Sequence, residues 1–170
     1  PRVFRLVEDE ALINRLGFNN LGSENVINRI NSNKKIGTLG INIGPNKDTE
    51  NRTEDYLKCL KIFHKVADYI TINISSPNTE NLRKFHDQKQ LDDLLKNIEK
   101  EKKNLDSKIP IVVKVSPDIK NSEIDEISNV LMNNNVKGVI ISNTSDSSRE
   151  NLNNIQKHQK GGLSGKPIKN

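Results

Sequence analysis

Ile72-Asn73-Ile74-Ser75-Ser76-Pro77-Asn78-Thr79 is the stretch on which the reading of this 170-residue chain turns. Residues 69–74 form a short apolar run, rich in β-branched and aromatic residues, with the character of a buried strand. The run breaks into a tight polar turn that offers two carboxamides, two adjacent hydroxyls and a proline. In parallel α/β proteins, polar groups at the C-terminal end of a strand face a ligand rather than the core.

Working outward, the same unit recurs. Residues 38–43 read as a buried strand with Asn42 near its end. Thr53 is expected to cap a helix whose first turn carries Glu54 and Asp55, which suits the helix dipole, and Tyr56, Leu57, Leu60, Phe63 and Ala67 then recur at helical spacing. After the quoted stretch, residues 90–103 predict a helix with Leu91, Leu94, Leu95 and Ile98 inward. Residues 111–115 predict a strand ending at Ser116-Pro117-Asp118. Ser122 with Asp125 has the spacing of a capping box for a helix carrying Ile124, Ile127, Val130 and Leu131. Residues 139–141 predict another strand, ending in Ser142-Asn143-Thr144. At the front, residues 1–6 suit a short strand, residues 9–18 a connection, and Ser23 the cap of a helix to about Ile30. At the back, residues 161–167 read as a glycine-rich loop.

Strand and helix alternate, and the strands are short continuous apolar runs of the kind covered on both faces. The connections carry helices, so the strands are expected to be parallel. Two closures fit, a β/α barrel or an open doubly wound sheet. No G-x-G-x-x-G follows a strand, which counts against a dinucleotide-binding sheet, and Gly161-Gly-Leu-Ser-Gly-Lys-Pro167 lacks the spacing and the Ser or Thr of a phosphate-binding P-loop.

Composition sets further bounds. Hydrophobic residues are only 32% of the chain, yet they fall in periodic blocks, which argues against pervasive disorder. The net charge of +5 comes from lysines interspersed with Glu and Asp, and aromatics are 4%, so a solvated surface is a better reading than a nucleic-acid interface. Cys59 is the single cysteine, which excludes an internal disulfide, and its mid-helix position suits a packed thiol. No apolar run approaches a membrane span, and no metal site is expected. Beginning on Pro1 and ending after a glycine-rich loop, the chain reads as an internal piece of a longer protein.

The chemistry concentrates at the strand ends: Asn42; Asn73 with Ser76 and Asn78; Lys114; and Asn143 with Thr144. One such Asn is ordinarily a turn residue. Successive strands that deliver carboxamides and one lysine at equivalent positions point to a shared mouth. Carboxamides match ring N–H and C=O groups. A lysine on an apolar strand is expected to face a polar cavity holding a negative or electron-rich partner.

These residues carry a resemblance. P-R-V-F-R-L (1–6), I-N-R-L-G-F-N-N (13–20), G-I-N-I-G-P-N-K (40–47), I-N-I-S-S-P-N-T (72–79), V-V-K-V-S-P-D (112–118), I-I-S-N-T (140–144) and G-G-L-S-G-K-P (161–167) occur in the order found in dihydroorotate dehydrogenases. The chain resembles the class 2 branch of that family. The resemblance implies an FMN-dependent parallel β/α (TIM-type) barrel, of which this chain holds the middle strands and helices. It implies oxidation of dihydroorotate to orotate in pyrimidine biosynthesis, with hydride passing to FMN and electrons then to a quinone.

By position in these motifs, Ser76 is expected to be the catalytic base. Class 1 relatives carry Cys there, so Ser76 points to class 2 and to membrane association of the parent protein, at the bacterial inner membrane on its cytoplasmic side or the mitochondrial inner membrane. Asn14, Arg15, Leu16, Gly17, Phe18, Asn73, Asn78, Asn143 and Thr144 match substrate-holding residues. Asn42, Asn73, Lys114, Ser142 and Gly165 match FMN contacts, while Phe18 and Thr79 flank the proton route. The chain departs from the family pattern with Ser142 for a common Thr, Ser116 for Ala and Pro45 for Lys. The family's first and last barrel strands and its N-terminal quinone-gathering helices have no counterpart in it. A flavin barrel acting on another ring, or a non-catalytic basic binding module, are the competing expectations.

Overall fold

The computed structural model describes residues 2–46, 48–75, 87–147 and 149–169. The chain opens with β1 (Val3–Leu6) and β2 (Ala11–Asn14), which pair antiparallel. Phe4, Leu6, Ala11 and Ile13 point inward while their neighbours face out, the period-two pattern of a half-buried hairpin. The connection expected over residues 9–18 therefore contains a strand. Its signal is four residues long and becomes visible only beside its second partner, residues 162–165.

The body of the chain follows as α1 (Ser23–Asn31), β3 (Gly40–Ile43), α2 (Arg52–Phe63), β4 (Tyr69–Asn73), α3 (Gln88–Asn104), β5 (Ile111–Lys114), α4 (Asn121–Asn133) and β6 (Gly138–Ile140). β3, β4, β5 and β6 lie side by side in that order, each pair parallel. This is the β/α repeat expected from the sequence. β4 and β5 lie in the middle of the four and are the most buried. β3 and β6, each with one neighbour among the described residues, are more exposed, so coverage on both faces holds only for β4, where Thr71 and Asn73 are buried along with Ile70 and Ile72, whereas Val112 and Lys114 of β5 are half-buried.

The helices pack over one face of this sheet. Ile43, Tyr56, Leu60, Phe63, Ile70, Ile72, Ile74, Leu91, Leu94, Ile98, Val113 and Ile127 belong to one continuous core. Burying each large aliphatic side chain is worth ~1.5–3 kcal/mol. Leu91, Leu94, Leu95 and Ile98 therefore hold α3 in place more firmly than helix propensity does.

The helix starts differ in detail from the sequence expectations. α2 begins at Arg52, before Thr53, and α1 has Ser23 as its first helical residue after Gly22. α3 starts at Gln88, where the Asp87 side chain accepts from the Gln90 N–H at 3.0 Å. In α4 the carboxylate of Glu123, rather than the Ser122–Asp125 pair, receives the Lys120 N–H at 2.9 Å. At the lower end of the sheet Asp68 accepts from the Leu39 N–H at 2.7 Å and from Lys35 at 2.6 Å, joining the entrances of β3 and β4.

β7 (Gly162–Gly165) then adds to β2, giving a three-stranded antiparallel sheet in the order β1-β2-β7. The glycine-rich segment expected to be a loop is thus a strand followed by a short 3-10 turn, Lys166–Ile168. Phe4, Leu6, Ala11, Ile13, Leu152 and Leu163 make a second, smaller core beneath this sheet. Gly165 is required here. Its φ is 108°, and a Cβ would stand 2.4 Å from the Glu10 carbonyl oxygen.

Candidate functional site

Strand register assembles the site. Asn42 lies beside Thr71, and Asn73 beside Lys114, which in turn lies beside Ile140. Side chains alternate along a strand. Ile70, Ile72, Ile111 and Val113 are committed to the helix-covered core, so Thr71, Asn73, Val112 and Lys114 share the opposite face.

At the tips of β4 and β6 the side chains join. The Ser75 hydroxyl donates to Asn73 Oδ1 at 2.8 Å and accepts from Asn143 Nδ2 at 3.0 Å. The Ser75 N–H also donates to Asn73 Oδ1, at 3.1 Å, and the Thr144 N–H donates to Asn143 Oδ1, at 2.8 Å. Asn73 and Ser75 are buried, while Asn143 and Thr144 are half-buried. The carbonyl of Asn73 is held from the other side of the sheet by the Tyr56 hydroxyl at 2.7 Å.

Lys114 is half-buried beside Asn73, and among the described residues no carboxylate forms an ion pair with it. A cation placed so next to carboxamides suits an electron-rich ligand. Phe18 reaches the tip of β3, where its ring lies against Gly44. A Cβ at Gly44 would meet the Phe18 ring at 3.2 Å. Phe18, Asn42 and Gly44 also line a cleft of about 390 Å³ that runs down to Cys59 and Phe63. Burial raises the Cys59 thiol pKa, as expected of a packing cysteine.

The other expected residues are distributed unevenly. Asn14 pairs with Gly162 in the antiparallel sheet. Arg15 donates to Gln159 Oε1 at 3.2 Å and the Lys160 carbonyl at 3.1 Å, and its guanidinium stacks 4.5 Å from the centre of the Phe4 ring. Leu16 and Gly17 are exposed. Ser142 donates to the Asn143 carbonyl at 3.1 Å. Gly165 makes its close backbone approach to Glu10 and Ala11. Ser76, Asn78 and Thr79 lie outside the described residues.

Two contributors had no role in the sequence reading. Ser75 was visible only as half of a hydroxyl pair. Asp118, just past β5, accepts from Ser145 Oγ at 2.5 Å, Ser147 Oγ at 2.7 Å and the Asp146 N–H at 3.1 Å. Burial pushes the Asp118 carboxyl up, but these donors outweigh it and hold the pKa at about 2. Ser145 also pairs with Leu163 of β7 through both backbone bonds, at 2.9 and 2.6 Å. Asp118 thereby ties the small antiparallel sheet to the mouth of the parallel one. Its motif, Ser116-Pro117-Asp118, gave a signal, but its partners lie in a later loop.

A four-stranded parallel sheet covered by helices, with polar groups gathered at the C-terminal strand ends, defines part of a β/α barrel whose ligand end carries the site. The comparisons agree in detail. Two crystal structures of DHODH from Eimeria tenella, one in complex with ferulenol and one ligand-free, superpose with a TM-score of 0.92 at 33% and 34% identity, covering 98% and 99% of this chain and 51% and 54% of theirs. The family model described as Dihydroorotate dehydrogenase matches residues 1–170, and the chain belongs to that family. Proteins named "Dihydroorotate dehydrogenase (quinone)" from Idiomarina loihiensis and Photorhabdus laumondii are 44% and 46% identical over 99% of this chain, which covers 52% of each. The chain spans about half the length of the curated relatives it matches.

Proposed function

We propose that the protein containing this chain oxidises dihydroorotate to orotate, with FMN as its bound redox group and a quinone as the final electron acceptor. The observation that carries this reading is the Asn73–Ser75–Asn143 bridge beside Lys114, at the ligand end of a sheet in a chain of this family. The names of the relatives supply the substrate and the acceptor class. Residues 1–170 are then the central part of one barrel domain, continued beyond β3 and β6 by strands from the rest of the protein.

The residues present fit FMN. Asn42, Asn73 and Lys114 belong to adjacent strands on the face away from the helices, and Lys114 lacks a carboxylate partner among the described residues. Ser142 and Gly165 are assigned to the same cofactor on their motif positions. Bound FMN supplies the acceptor for the hydride that leaves ring carbon 6. Lys114 provides positive charge where electron density rises on reduction.

Ser76 takes the proton from ring carbon 5, so that loss of a proton and a hydride leaves the new double bond. A serine is a weak base at its free pKa and needs a proton route. Thr79 supplies a hydroxyl for that route, and Phe18 shields it from bulk water. Asn73, Asn78, Asn143 and Thr144 hold the ring, and the segment 14–18 covers it, so orientation contributes most of what the side chains do. A quinone acceptor is lipid-soluble, which places the whole protein at a membrane surface. Among the described residues no helix is long and apolar enough to cross a membrane.

Ser76→Ala in the full-length protein tests the reading. Dihydroorotate oxidation at neutral pH is expected to fall by about 10²-fold or more while the flavin spectrum is kept. Retention of most of the activity would remove Ser76 from the role of base.

A further inference from the structure

We infer that Ser75 is a positioning residue, which locks the carboxamides of Asn73 and Asn143 so that both present N–H groups to the ligand. The inference rests on the proposed function of the site. It follows from the direction of the hydrogen bonds. A backbone N–H can only donate. The Ser75 N–H lies 3.1 Å from one terminal atom of Asn73, which must therefore be Oδ1. The Thr144 N–H lies 2.8 Å from one terminal atom of Asn143, which must also be Oδ1. Asn143 then turns Nδ2 toward Ser75, whose oxygen accepts at 3.0 Å and whose hydrogen passes to Asn73 Oδ1 at 2.8 Å.

Two fixed backbone donors thus polarise the whole chain of bonds in one direction. Asn73 Oδ1 takes two bonds inside the protein, and Asn143 Oδ1 takes one. What remains for a ligand is chiefly donor capacity, the Asn73 NH2 group and the second hydrogen of Asn143 Nδ2, beside one lone pair of Asn143 Oδ1. The face is weighted toward ligand acceptors, the carbonyl or carboxylate oxygens of a small ring compound, with Asn143 Oδ1 left as the place where a ring N–H could be received. Ser75 is fully buried, so it acts through the two amides rather than by touching the ligand. Without its hydroxyl, Asn73 keeps only the residue-75 N–H, and Asn143 loses the acceptor that holds its NH2 group.

The test uses the full-length protein loaded with FMN, comparing wild type, Ser75→Ala and Ser75→Cys. The KM for dihydroorotate and the dissociation constant of orotate, read from the flavin spectrum, are expected to rise about tenfold in Ser75→Ala. The kcat should change less, because these bonds are made in ground and transition states alike. Ser75→Cys, with a weak donor of similar shape, should fall between the two. Wild-type KM and orotate affinity in a folded Ser75→Ala protein would overturn the inference and leave the proposed function standing. So would failure of both variants to fold, which would make Ser75 a structural residue. A wild-type protein that neither holds FMN nor oxidises dihydroorotate overturns the proposed function itself, and this inference with it.

Discussion

The hydroxyl of Tyr56, on α2, reaches through the helix-covered side of the sheet and donates to the carbonyl of Asn73 at 2.7 Å. Asn73 is therefore gripped at its backbone by a helix and at its side chain by Ser75, before any ligand arrives. Burial raises the Tyr56 phenol pKa far above its ordinary value, so the donor persists throughout the usual pH range.

Replacing this tyrosine with phenylalanine keeps the packing and strands a buried carbonyl. Tyr56→Phe is expected to cost ~1–3 kcal/mol of stability, read from the denaturant midpoint at unchanged m-value. An unaltered midpoint would mean that water or a backbone shift satisfies the Asn73 carbonyl instead.

Asp118 predicts a dependence on acid. Its pKa in the folded protein, about 2, lies below the ordinary 3.8. A carboxylate with a depressed pKa stabilises the fold fully above its unfolded pKa and loses that contribution as the pH falls through its folded value. The stability gap between wild type and Asp118→Asn should stay level from about pH 7 to about 5 and close between about pH 4 and 2. Unfolding curves across that range check it, and a gap that widens on acidification would contradict the hydrogen-bond pattern at Ser145 and Ser147.

Lys114 bears on the flavin. Removing the charge in Lys114→Gln should make the reduction potential of bound FMN more negative, since the anionic reduced form loses a nearby cation. Spectroelectrochemistry of the full-length protein would show this. A potential equal to wild type would place the ammonium away from the isoalloxazine ring.

Much of this was legible along the chain because its signals are local. Ile70, Ile72 and Ile74, or Leu91, Leu94, Leu95 and Ile98, announce their element by spacing alone, since a residue's face is set by its own backbone period. The polar tips Asn42, Asn73, Lys114 and Asn143 could be placed at the same end of the sheet for the same reason. What the spacing could not convey was partnership. β2 and β7 are four residues each and stand outside the parallel β/α repeat that marks β3 to β6, and they recognise each other across most of the chain, as the contact between Ser164 and Leu12, 152 residues apart, shows.

The sequence by itself determined the β/α order, the parallel sheet and the gathering of amides at one end, because periodicity and turn chemistry are properties of neighbouring residues. Only the tertiary structure decided which hydroxyl joins Asn73 to Asn143, 68 residues from Ser75, and that Asp118 anchors the second sheet. Those choices depend on which buried polar groups meet after the chain has closed, where each must find a partner or carry the cost of being left without one.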